Sequence, residues 1–122
     1  MPVFSRVRDG VLTLTVDGDY TANELRRVGF SAFEADEAPD KVAVILDLSG
    51  AAGLMKKSPA EVASSGAIFG AYRDRLTGIA VVASSEVTSL FDAQSDFAER
   101  AGGRVGVFTS HADARVWLEG DS

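Results

Sequence analysis

The stretch Val42-Ala43-Val44-Ile45-Leu46-Asp47-Leu48-Ser49-Gly50 constrains this chain more than any other. Its consecutive aliphatic residues, largely β-branched, match a strand buried on both faces, as the central strands of helix-covered sheets are. The Asp, Ser and Gly that follow predict a polar turn at the carboxyl end of that strand. In open α/β sheets this end is where ligands and partners usually meet the fold.

The rest of the chain arranges itself around that strand. Residues 3–8 and 11–16 read as two strands joined at Asp9-Gly10, a hairpin signal because both turn residues tolerate positive φ. Thr21-Ala22-Asn23-Glu24 is a capping box. Behind it Leu25, Val28, Gly29, Ala32 and Phe33 form one apolar stripe of a helix expected to stop near Asp36. Ser58-Pro59-Ala60-Glu61 is a second capping box, opening a helix over 59–72 that is small or apolar nearly all round. Two readings fit that composition. The small residues let the helix lie close on the sheet, or its outer side meets a partner or a bound apolar molecule. Ile79–Ala83 is a second buried strand. A helix over 86–101 follows, with Val87, Leu90, Phe91, Gln94, Phe97, Ala98 and Ala101 on one side. Val105–Phe108 is the last strand. Ser110 opens a closing helix, with Asp113 in its first turn and Ala114, Trp117 and Leu118 facing inward.

The predicted order is β-β-α-β-α-β-α-β-α. It makes an α/β fold: one domain over 1–122, ordered from about 3 to 119, with a mixed sheet and helices packed on it. A chain of 122 residues suffices for one core. Its net charge of −6 argues against nucleic acid, which needs a basic face. With no cysteine, thiol nucleophiles, disulfides and thiolate metal sites are excluded, and a cytoplasmic location is expected. No signal peptide and no membrane span are expected.

Three places resemble the STAS superfamily, the fold of bacterial anti-sigma-factor antagonists, and more closely its SpoIIAA-like (STAS/SEC14-like) branch. They are the strand ending in Asp47-Leu48-Ser49-Gly50, the segment Gly78–Ala83 before a long helix, and Val107-Phe108 followed by Ala112, Ala114 and Trp117-Leu118. The resemblance implies a regulatory module that binds a protein partner. In the phosphorylated antagonists an aspartate-serine-serine-glycine turn caps the helix after the central strand. Here that place holds Met55-Lys56-Lys57-Ser58-Pro59, so Ser58 alone keeps the cap position and is the residue to which modification would transfer.

Lys56, Lys57 and Ser58 form the most suggestive surface. A capped helix start with free N–H groups and two lysines suits an anion or a phosphoryl group on Ser58, and equally a solvated loop. Asp47, Ser49 and Gly50 join them as candidate partner- or anion-binding residues, Asp47 chiefly as a turn former that accepts hydrogen bonds from the residues after it. Ser49 has no general base near it in sequence and no Gly-x-Ser-x-Gly elbow. His111 is the sole histidine and reads as an exposed residue in the first turn of the last helix. No cofactor and no metal site are expected.

The function expected is a non-catalytic interaction module that switches a partner, or pairs with a second copy, through the loop 50–58 and helix 59–72. The alternative is a carrier of a lipid or small apolar ligand, in a pocket lined by Phe69, Leu90 and Phe91. An enzyme ranks last, because no nucleophile-base pair or phosphate loop can be assembled.

Overall fold

The computed structural model describes residues 3–8, 10–18, 21–35, 40–50, 69–72, 74–84 and 105–120. The elements are β1 (Val3–Arg8), β2 (Val11–Asp17), α1 (Ala22–Phe33), β3 (Val42–Gly50), β4 (Leu76–Val82), β5 (Val105–Phe108) and α2 (His111–Gly120). Of the expected helix 59–72 only residues 69–72 are described, with Phe69 and Gly70 helical. The expected helix 86–101 lies outside the described residues.

The five strands lie side by side in chain order, β1-β2-β3-β4-β5. β1 and β2 are antiparallel; every later pair is parallel. The hairpin forms as expected, with Arg8 opposite Val11 and Gly10 at φ +76°, a conformation that glycine adopts without a steric penalty. α1 begins where the capping box places it: the Glu24 N–H donates to Thr21 Oγ1 at 3.1 Å.

Strand pleating divides the core in two. On one face Leu12, Leu14, Val16, Val44, Leu46, Leu48, Ile79 and Val81 pack with Leu25, Ala32 and Phe33 of α1 and with Phe69. On the other face Ile45, Ala80 and Val82 lie under Ala114 of α2, flanked by Phe108, Trp117 and Leu118. Each fully buried aliphatic side chain contributes roughly 1.5–3 kcal/mol, so among the described residues the larger α1 face carries most of the hydrophobic stabilisation. α2 docks closely because β5 carries glycine beneath it. A Cβ at Gly106 would stand 2.8 Å from Phe108 Cε2 and 3.0 Å from Trp117 Cε2. Only hydrogen fits under that ring pair, whose centroids are 5.4 Å apart.

Three boundaries differ from expectation. β3 does not turn at Asp47 but runs on to Gly50. The cause is its neighbour: Gly50 pairs with Asp17, and the Gly18 N–H donates to the Gly50 carbonyl at 2.7 Å. β4 begins at Leu76 rather than Ile79, because β3 extends the ladder with a Val42–Leu76 pair. α1 stops at Phe33 rather than near Asp36. There the Arg75 guanidinium takes the Phe33 carbonyl at 2.8 Å, while Tyr72 stacks on the Phe33 ring at 4.3 Å.

Candidate functional site

The site grows out of sheet register. Asp47 on β3 lies opposite Val82 on β4, and Val82 lies opposite Phe108 on β5. All three sit in one row at the carboxyl end of parallel strands, on the α2 face. β5 ends in that row, so α2 must begin beside it. The Ser110 hydroxyl caps the new helix by accepting from the Asp113 N–H at 3.2 Å. The first residue of α2 is His111, and its Nε2 meets Asp47 Oδ2 at 2.7 Å.

The other carboxylate oxygen is held from within β3. Asp47 Oδ1 accepts from the Ser49 N–H at 2.9 Å and from the Ser49 hydroxyl at 2.6 Å. Asp47 is buried, 9% exposed, whereas Ser49 and Gly50 are exposed. Burial pushes the Asp47 carboxyl up. The hydrogen bonds from the Ser49 hydroxyl, from His111 and from the Ser49 N–H, with the charge of the imidazole, outweigh it and hold the group below the ordinary aspartate value. An ionised carboxylate only accepts, so His111 Nε2 carries the proton in this contact.

This order of contacts determines the chemistry. In a hydrolytic triad the imidazole lies between the serine and the carboxylate. Here the carboxylate lies between serine and imidazole. The Ser49 proton already points at an acceptor whose depressed pKa makes it a weak base at neutral pH. The arrangement therefore ties two backbone segments together and leaves Ser49 unactivated.

Several expectations can now be placed. Asp47 does accept from the residues after it, as a turn former would, although those residues stay in the strand. Ser49 and Gly50 sit beside it. His111 is in the first turn of the last helix as expected, but it is not merely an exposed turn residue. Its side chain is 47% exposed and its inner nitrogen is tied to Asp47. Sequence reading missed this pair because the two residues are 64 positions apart. The usable signal was topological: the final parallel strand has to release its helix beside the end of β3. Phe69 is fully buried within the α1-side core, so its ring is occupied in packing. Lys56, Lys57, Ser58, Leu90 and Phe91 lie outside the described residues. Among the described residues no group of three or more His, Cys, Asp or Glu side chains gathers as metal ligands would. No described helix is long and apolar enough to cross a membrane.

No protein-family profile matches the chain, and no curated protein matches it. Solved structures do. An uncharacterised DUF3478-family protein with a SpoIIAA-like fold from Shewanella loihica superimposes with a TM-score of 0.60 at 16% identity, covering 95% of this chain and 91% of that one. An anti-sigma factor antagonist from Mycobacterium paratuberculosis gives a TM-score of 0.59 at 22% identity, covering 96% and 92%. The chain therefore has a SpoIIAA-like fold: among the described residues, one mixed sheet with helices packed on both faces.

Proposed function

We propose that this chain is a non-catalytic regulatory module that works by binding a protein partner. Its surface is the carboxyl-end rim where Ser49, Gly50 and His111 are exposed, together with Lys56, Lys57, Ser58 and the segment 59–72 that follow Gly50 in sequence. The observation that carries this reading is the Asp47 junction. The carboxylate takes three hydrogen bonds from Ser49 and His111 and is kept ionised, which fits a fixed platform and does not fit a proton-transfer site. The fold supports it too, because one solved structure of the same architecture is an anti-sigma factor antagonist. The partner on this reading is an anti-sigma factor met in the cytoplasm, and phosphorylation of Ser58, the cap expected from sequence, would alter the docking surface.

Native mass spectrometry of the chain mixed with each anti-sigma factor of its own genome tests the proposal. A one-to-one complex is expected with at least one of them, weakened in the Lys56→Glu, Lys57→Glu double variant. Absence of any complex, or a complex indifferent to charge reversal, overturns it.

A further inference from the structure

β1 stands at the end of the strand order, and among the described residues no strand pairs with its outer side. A row of backbone N–H and C=O groups on that side thus has no strand partner among the described residues. Val3 points into the α1-side core and Val7 packs against it, so pleating turns Phe4, Arg6 and Arg8 to the opposite face. All three are exposed, and among the described residues Phe4 is one of two large apolar side chains that stand out in solvent, at 52%. On the α1 side of the same edge lies a groove of about 410 Å³, lined by Val3, Phe4, Ser5, Arg27, Val28 and Ser31. Arginines thus flank the open edge from both faces. Among the described residues none of Arg6, Arg8 and Arg27 is engaged in an ion pair. In a chain of net charge −6, three arginines thus gather at one sheet edge.

From this juxtaposition we propose that the β1 edge docks an extended, acidic segment of a partner protein, which adds to the sheet as a sixth strand next to β1. Backbone pairing supplies register. Acidic side chains on one face of the added strand meet Arg6 and Arg8, and the small polar side chains on the other face enter the groove beside Arg27. The charges also discriminate against two registers of the simplest competitor, a second copy. Antiparallel self-pairing centred on Arg6 sets that residue against itself, and pairing centred on Val7 sets Arg6 against Arg8; like charges directly opposite are destabilising. The surface is separate from the rim around Asp47 and stands without the partner proposed for that rim.

The probe is an acetylated peptide of alternating glutamate and threonine, as long as β1, titrated into the full chain labelled for amide NMR. A lysine-for-glutamate peptide serves as comparison. The glutamate peptide should shift and protect the β1 amides against exchange, and the lysine peptide should not. In the Arg6→Glu, Arg8→Glu variant the affinity should fall at least about tenfold. Both substitutions are at exposed positions, and the amide spectrum of the variant away from β1 verifies that it is folded. Equal binding of both peptides, no response at β1, unaltered binding to the charge-reversed variant, or a free protein already dimeric through β1 would each overturn the proposal.

Discussion

Replacing Gly106 by alanine should loosen the seat of α2, and the size of the effect follows from the contacts. The new methyl carbon would lie 2.8 and 3.0 Å from Phe108 ring atoms and 3.0 Å from Trp117 Cε2. Carbon atoms rest at about 3.5–4.0 Å, so both rings have to retreat by roughly 0.5–1 Å. Overpacking of this kind costs about 1–3 kcal/mol. Gly106 is not a positive-φ glycine, so alanine can take its backbone conformation, and the stiffer unfolded chain returns about 0.4–1 kcal/mol. The net destabilisation should be about 1–2 kcal/mol, read by urea unfolding of parent and variant side by side. The steric origin is checked by a second change. Phe108→Leu removes the nearest ring, so the Gly106→Ala, Phe108→Leu pair should lose about 1 kcal/mol less than the two single losses added together. A Gly106→Ala protein as stable as the parent, or costs that simply add, would refute the reasoning.

Asp47→Asn should destabilise the chain by about 2 kcal/mol near neutral pH, because the Ser49 bonds lose charge assistance and the half-exposed His111 contact contributes about 0.5 kcal/mol. The folded-state pKa of Asp47 is depressed, so its contribution is present above the ordinary aspartate range and is lost as pH falls through the folded value. The gap between parent and variant, followed by thermal unfolding across pH, should close in acid. Arg75→Ala removes the donor to the Phe33 carbonyl and the cation lying 5.8 Å from the Phe33 ring centroid. It should cost about 1–2 kcal/mol in the same urea assay and raise amide exchange at the end of α1. Thr21→Ala deletes the cap of α1 and should cost about 1 kcal/mol, with faster exchange at the Glu24 amide.

Much of the architecture could be read from local chemistry. Asp9-Gly10 marked the hairpin, Thr21 and Ser110 marked two helix starts, and the run at 42–46 marked the central strand, because turns, caps and doubly buried strands depend on residues close in sequence. The stripe from Leu25 to Phe33 faced the core as its spacing required. Boundaries set by partners could not be read in that way. Asp47-Leu48-Ser49-Gly50 has the composition of a turn and is a strand, since pairing with Asp17 extends the ladder beyond what local preference favours. The same reason moves the start of β4 back to Leu76. Of the site, Asp47 and Ser49 were legible as neighbours, whereas the His111 contact was not, because it exists only once β5 has been laid beside β4.

The account rests on Asp47 being a held, ionised platform residue. A carbon-13 NMR titration of its carboxyl group, in the intact chain and in His111→Ala, tests that most directly. The structure predicts a carboxyl that stays ionised to pH values below the ordinary aspartate range, with its apparent pKa rising toward that range when the imidazole is removed. A carboxyl that titrates above the ordinary range, or one that ignores the loss of His111, would contradict the account and make Asp47 a candidate proton-transfer group.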